Sequence, residues 1–323
     1  MWLLENEFCN EDRKYFYILN QLNHRKMNRF KTFTLLLGVL LIASTTSCTK
    51  EKAGVYSPKK KIQRVYHSSP NTEKYLEQVW KWGDKTLESI DYYSQNGYFG
   101  WTENFTYKEN RLDRIDVYVD KEYALFTYND NSLKSINYYI ENNLSTTNEF
   151  TYQDGKVIKM VQTDYGYKSN GHINLLSLMF APEVCESIEK CFREFECSSH
   201  AKNTTKTCEF IWDGDNISKL VLMANYGDGG MVSATCIFQC DQKNNPFKGY
   251  FDLLSCGVDA TDMLIEGHGF FKNNVTKAII DSSEGGKSNL NYSYQYDSDD
   301  FPTMQIMSFE GANYQYFTYY EYE

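Results

Sequence analysis

The chain has 323 residues, with 33 Lys and Arg against 43 Asp and Glu for a formal charge of -10, and five His. It shows no basic cluster able to displace counterions from phosphates, which argues against a nucleic-acid partner. With 27 Tyr, 20 Phe and 5 Trp but only 5 Pro, the composition favours the pleated, half-buried surface of strands over a disordered chain.

Residues 1–26 read as a doubtful N-terminal extension. Met27 opens an export signal of normal form, whereas a start at Met1 places Glu5, Glu7, Glu11 and Asp12 ahead of it. From Thr32 to Ala43 the chain is apolar and uncharged, behind Arg29 and Lys31. That length suits the core of a signal peptide and is short for a bilayer crossing, so residues 27–47 are expected to be the signal. Ser44-Thr45-Thr46-Ser47-Cys48 resembles the lipobox of bacterial lipoproteins, with Thr45 where the usual form has Leu, as in looser boxes of the Bacteroidetes. The resemblance implies cleavage before Cys48, acylation of its thiol and amine, and a lipid anchor in the outer membrane. An ordinary signal peptide followed by a chance Cys is the alternative. Thr49-Lys50-Glu51-Lys52 is a faint version of the charged export signals that follow such boxes, which leaves the periplasmic and cell-surface sides both open. The polar stretch 48–72, with Ser57-Pro58-Lys59-Lys60-Lys61, reads as a flexible tether.

From residue 73 to 323 one pattern recurs: aromatic, any residue, aromatic, a polar turn, an apolar residue, two residues, another apolar residue. It appears as Trp80-x-Trp82 with Leu87 and Ile90, Phe105-x-Tyr107 with Leu112 and Ile115, and Phe126-x-Tyr128 with Leu133 and Ile136. Further copies are Phe150-x-Tyr152 with Val157 and Met160, Phe210-x-Trp212 with Ile217 and Leu220, and Tyr294-x-Tyr296 with Phe301 and Met304. A decayed copy, Phe238-x-Cys240, leads into Asn245-Pro246-Phe247. Residues two apart on a strand share a face, so each aromatic pair points to one side. Glu109-Asn110, Asp130-Asn131, Asp154-Gly155 and Gly214-Asp215 suit the left-handed angles of hairpin turns. Each unit is a hairpin, and because one hairpin cannot bury its aromatic face, the copies must pair side by side. The expectation is an all-β fold: a long antiparallel meander of roughly fourteen or more strands, rolled or barrel-like.

The period breaks at about 169–205. There Pro182 opens a stretch with Val184, Ile188, Cys191 and Phe195 at helical intervals, read as one short helical insert. Besides Cys9 and Cys48, the cysteines are Cys185, Cys191, Cys197, Cys208, Cys236, Cys240 and Cys256. In an oxidising envelope this cluster reads as local disulfide stapling with one thiol left over. A zinc site from Cys197, His200 and Cys208 is the alternative, without paired C-x2-C spacing.

The repeat resembles the YD repeats of bacterial surface proteins, although Tyr152 to Val157 is one residue shorter than their usual step. A nearer likeness is to DUF4595-like lipoproteins of the Bacteroidetes. Their turn phrases are matched by Cys240-Asp241-Gln242-Lys243-Asn244-Asn245-Pro246-Phe247 and Tyr294-Gln295-Tyr296-Asp297-Ser298-Asp299-Asp300-Phe301-Pro302-Thr303. This second resemblance implies a porin-like shape, and it brings no catalytic residue. The polar residues opposite the aromatics point to a soluble body rather than a pore, which needs an outward apolar band.

Chemical motifs are sparse. Gly285-Gly286-Lys287-Ser288 ends like a phosphate loop, but Asp281 stands where its first Gly belongs, so no nucleotide cofactor is expected. Asp213-Gly214-Asp215-Asn216 and Asp297-Ser298-Asp299-Asp300 resemble calcium chelators but occupy the turn slot of the repeat, and no metal is assigned. Gly267-His268-Gly269 has no identified partner, and Asp262 and Glu266 cannot be chosen as a hydrolytic pair among so many acids. Trp101, Tyr165, Tyr167 and Tyr226 lie near expected loops, where exposed rings would stack on a glycan or on a protein ligand. The reading is a non-enzymatic envelope lipoprotein that binds or supports; a hydrolase of glycan or peptide is the alternative.

Overall fold

A computed structural model of the chain describes residues 52–70, 72–117, 121–166, 204–225, 231–251, 268–283, 286–311 and 315–323. Among them are sixteen strands. The first eight are β1 (Ile62–Ser69), β2 (Thr72–Trp82), β3 (Leu87–Tyr93), β4 (Phe99–Lys108), β5 (Arg111–Val117), β6 (Glu122–Asn129), β7 (Ser132–Ile140) and β8 (Asn143–Gln153). The rest are β9 (Lys156–Asp164), β10 (Thr204–Asp213), β11 (Asn216–Asn225), β12 (Met231–Cys240), β13 (Val275–Ser282), β14 (Gly286–Tyr296), β15 (Pro302–Phe309) and β16 (Gln315–Tyr322). Each strand pairs antiparallel with its sequence neighbours, and β1 pairs with β16, so the meander closes into a barrel with no free edge.

The repeat builds this wall one hairpin at a time. Leu87 and Ile90, Leu112 and Ile115, Leu133 and Ile136, Val157 and Met160, and Ile217 and Leu220 are all buried. A spacing of three would put the two members of each pair on opposite faces of a regular strand. A one-residue bulge between them restores a common face: Thr127 faces Ser135 while Tyr128 faces Leu133, so Lys134 is the extra residue. The same skip falls at Glu88, Asp113, Ile158, Ser218, Thr276 and Thr303.

The residue before most of these bulges also receives a latch from the next hairpin. Tyr128 Oη donates to the Leu112 carbonyl at 2.6 Å, Trp212 Nε1 to Val157 O at 2.6 Å, and Tyr294 Oη to Val275 O at 2.7 Å. At the closing seam Trp82 Nε1 donates to Ile62 O and Tyr322 Oη to Pro302 O, both at 2.7 Å. The backbones of Leu87 and Leu133 hydrogen-bond the hydroxyls of Tyr107 and Tyr152. In the decayed copy, Cys240 stands where such a ring would reach back to Ile217. The turns match their residues, with positive φ at Glu109 and Asn110 and at Asp154 and Gly155.

A sixteen-strand barrel is wide enough to leave an aqueous channel, yet one end of this lumen is filled. The connection between β12 and β13 folds inward, and its rings meet the first aromatic of successive copies. Tyr250 lies 5.0 Å from Trp80 and 6.3 Å from Phe105, and Phe251 lies 6.0 Å from Phe126. Phe270 reaches Phe150 and Phe210 at 6.4 and 5.7 Å, Phe271 reaches Phe238 at 5.1 Å, and Phe247 reaches Tyr320 at 5.8 Å. Asn245 Nδ2 donates to Phe271 O, and Asp241 Oδ1 accepts from the amides of Lys243 and Asn274, so the plug is pinned to itself.

Several sequence expectations need correction. From Lys52 onward the supposed tether is structured. Ala53 N donates to Asn131 O, Gly54 O accepts from Leu112 N, buried Tyr56 donates to Pro246 O, and Lys60 pairs with Asp297 and Asp299. Residues 62–69 then form the strand that closes the barrel, so the domain begins before residue 73. Gly54 has φ +78°, and a Cβ there would lie 2.1 Å from the Tyr128 hydroxyl. Cys208, Cys236 and Cys240 are free thiols. Cys208 on β10 and Cys236 on β12 flank β11, and two strand spacings, about 9–10 Å, exceed the Cα separation a disulfide spans. Cys236 and Cys240 are four residues apart on one strand, farther still. Burial pushes the Cys208 and Cys240 thiols up to about 12. Cys185, Cys191, Cys197 and Cys256, like the short helix expected within the insert at about 169–205, lie outside the described residues. The one helical turn among the described residues is the 3-10 segment His268–Phe270.

Much of the outer wall is polar, although Ile211, Met231 and Ile237 are exposed on β10 and β12. Outward positions are Thr102, Asn104, Thr106 and Lys108 on β4, Thr147, Glu149, Thr151 and Gln153 on β8, and Asn289, Asn291, Ser293 and Gln295 on β14. Lys81 pairs with Asp91 at 2.6 Å, and outer rings carry cations, with Arg114 3.8 Å from Tyr123 and Lys74 4.4 Å from both Tyr66 and Tyr319. Such a surface hydrates well and would be costly in hydrocarbon.

The bulges predict a contrast at one exposed residue. Lys134→Ala should leave the thermal midpoint nearly unchanged, within about 0.5 kcal/mol. Deleting Lys134 should turn Leu133 outward and cost more than about 2 kcal/mol, or abolish folding. Thermal unfolding followed by circular dichroism checks both.

Candidate functional site

The end of the lumen opposite the plug is chemically different. In a sheared barrel, residues directly across from one another follow a slanting path around the wall. Starting at the plug with Phe126, that path runs through Ile136, Asn148 and Gln162 to Lys206. Asn148, Gln162 and Lys206 are all buried, and further contacts engage each of them. A parallel path gives Tyr138, Thr146 and Asp164, and another gives Glu103, Val117 and Glu122, with the Tyr138 hydroxyl donating to Glu122.

Across the barrel, His67 on β1 faces Tyr75 and Thr318. Its Nε2 lies 3.1 Å from Glu77 Oε2 and 3.3 Å from Thr318 Oγ1. Burial raises the Glu77 carboxyl above its ordinary range, with His67 opposing the shift. Burial, and then the Glu77 charge, push the Tyr75 hydroxyl up to about 12.

These groups do not assemble a hydrolase. A Thr–His–Glu relay needs its base to hold nucleophile and acid on different ring nitrogens, and here both partners meet Nε2. The carboxylates of Glu103 and Glu122 face the lumen two strands apart, but Glu103 is 1% exposed and closed to a substrate. Among the described residues no group of three or more His, Cys, Asp and Glu side chains is placed to hold a metal ion. The two acidic turn motifs are paired with lysines instead: Asp215 with Lys272 at 2.7 Å, and Asp297 and Asp299 with Lys60 at 2.7 and 2.6 Å. Asp262, Glu266, Tyr167 and Tyr226 lie outside the described residues.

At this same end the hairpin of β3 and β4 carries a group of rings. Trp101, singled out in the sequence, is half-buried on the lumen side and stacks on Tyr92 at 4.6 Å and 14°. On the outer side Tyr93 and Phe99 meet edge to face at 6.0 Å. Tyr98 and Phe99, 73% and 56% exposed, were not picked from the sequence. Their signal is that Tyr98-Phe99-Gly100-Trp101 falls outside the aromatic–x–aromatic slot that supplies the core. Tyr165 is half-buried just beyond β9, its amide bonded to Ser145 O, and it does not join this group.

No known family matches the sequence, and no curated protein matches it. Solved structures do resemble it. A porin-like protein from Bacteroides vulgatus ATCC 8482 superposes with a TM-score of 0.50 at 9% identity, over 82% of this chain and 99% of that one. A porin-like protein from Bacteroides uniformis ATCC 8492 gives 0.47 at 11% identity, over 84% and 100%. The first likeness shows a shared fold.

The buried acid sets a pH dependence. A carboxyl raised on folding is most stabilising when protonated, so its contribution is present below the unfolded value, about 4.3, and is lost as pH rises through the folded one. Glu77→Gln should raise the thermal midpoint at pH 7 relative to the parent, with the difference shrinking toward pH 4. Paired melting curves across that range check the sign.

Proposed function

We propose that this chain is a lipid-anchored protein of the bacterial outer membrane whose barrel stands in water and acts as a non-enzymatic binding or structural module. One observation carries the reading: polar residues fill the outward face of strands such as β4, β8 and β14 while the aromatic repeat turns inside, the reverse of a pore that must present an apolar band to lipid on nearly every strand. The plug supports it, because aromatic side chains occupy the cross-section that ions would use. The signal at 27–47 and Cys48 support export and acylation, and the description of the Bacteroides vulgatus neighbour as porin-like fits an envelope protein. The DUF4595-like resemblance belongs to the same proposal.

The docked segment adds an orientation. Three residues, four Cα steps, separate Cys48 from Lys52, a reach of at most about 14 Å, and Ala53 and Gly54 are fixed at the plugged end. An acylated Cys48 would therefore hold the plugged end toward the leaflet and present the β3–β4 hairpin away from it.

A chain beginning at residue 49 should purify without detergent as a monodisperse species and open no conductance in planar bilayers. Aggregation relieved only by detergent, or stepwise conductance, would contradict the proposal. Palmitate labelling of the full chain should be abolished by Cys48→Ala; undiminished labelling would remove the anchor.

A further inference from the structure

We infer that the β3–β4 hairpin is a binding site for a neutral polysaccharide, an inference that rests on reading the barrel as a water-facing binding module. Tyr98 and Phe99 are among the most exposed large apolar side chains described, and on one short hairpin they adjoin Tyr93 on the outer face, with the Tyr92–Trp101 stack behind them on the lumen face. Rings outside the core, grouped rather than scattered, mark a contact surface.

The tip is ordered before any ligand arrives. Ser94 N donates to Tyr98 O at 2.8 Å, Gly97 N to Ser94 O at 2.8 Å, and Tyr98 N to Ser94 Oγ at 3.2 Å. Gly97 takes φ +76° in open space, as this turn requires. Binding then loses little conformational entropy, since each ring has few torsions to fix.

Charge selects the partner. From Tyr92 to Thr102 the chain carries no charged side chain, although 24% of the whole is charged. The flanking acids are occupied or shut away: Asp91 accepts from Thr102 Oγ1 at 2.7 Å and pairs with Lys81, and Glu103 is buried. A lipid surface would call for basic residues beside the rings, and the tip has none. A polyanion would meet a chain of net charge -10. A neutral sugar polymer fits what remains. Its C–H faces pack on the electron-rich faces of the rings, while its hydroxyls find the exposed amides of Gln95 and Asn96.

The test is affinity electrophoresis and calorimetry of the mature chain against a mixed-linkage β-glucan, an α-glucan, a galactomannan and a xylan, with polygalacturonate and anionic vesicles as comparators. At least one neutral polymer should bind and perturb tryptophan fluorescence. Tyr98→Ala combined with Phe99→Ala should weaken that binding at least tenfold while leaving the melting curve in place, because both side chains are exposed. Binding that survives the double substitution overturns the hairpin assignment. Failure of all four neutral polymers, or a response only to polygalacturonate or vesicles, overturns the ligand class. The water-facing reading fails separately, through the detergent requirement of the barrel.

Discussion

Sixteen strands enclose more volume than the side chains of their own wall fill, and the structure depends on how that volume is occupied. In a transmembrane pore the answer is water, with apolar side chains turned outward to lipid. Here the aromatic and apolar side chains of the repeat turn inward, and the chain supplies filling from the described part of the β12–β13 connection. Trp80, Phe105, Phe126, Phe150, Phe210 and Phe238 each meet a ring of that plug, so the repeat and the plug form one core. Each buried aromatic or large aliphatic side chain contributes on the order of 1.5–3 kcal/mol. That sum offsets the entropy of ordering a long meander whose closing contact, β1 with β16, joins the two ends of the domain.

The second ring of each copy has a different task. In most copies its polar atom meets the backbone beside the bulge of the preceding hairpin, so a net hydrogen bond worth about 1 kcal/mol sits at those seams, whereas Tyr294, a first ring, reaches Val275 and Cys240 makes no such bond. The bulge, the three-residue apolar spacing and the Tyr or Trp two residues after the first ring are thus one device. It turns two side chains of an odd-spaced pair inward and ties one hairpin to the next. Decay of the copy at Phe238 and Cys240 coincides with the place where the chain leaves the wall to make the plug, a sequence irregularity with a structural counterpart.

Much of this was legible in the residues. Aromatic pairs two apart gave the strands, Glu109-Asn110 and Asp154-Gly155 the turns, and the recurrence of the unit the all-β meander. Closure was not legible, because Ile62-Gln63-Arg64-Val65-Tyr66-His67-Ser68-Ser69 lacks the aromatic pair and follows a run of three lysines. The bulges were present as the odd spacing of Leu133 and Ile136, which a period-two strand cannot bury on one face. Disulfide stapling does not join Cys208, Cys236 and Cys240 to one another, because clustering in sequence says nothing about strand separation: Cys208 and Cys236 are near in number and have β11 between them. At the candidate site, Trp101 was found and its neighbours Tyr98 and Phe99 were not, since the rings of the core masked a short run outside the repeat.

The ring-filled plug holds the wall together, and the decisive measurement is thermal unfolding of the Phe247→Ala, Tyr250→Ala double variant. Far-ultraviolet circular dichroism and tryptophan fluorescence should report one cooperative transition, with a midpoint lowered by at least 10 °C. A barrel that keeps its parental midpoint while the lumen gains water would instead show that the wall stands without its filling.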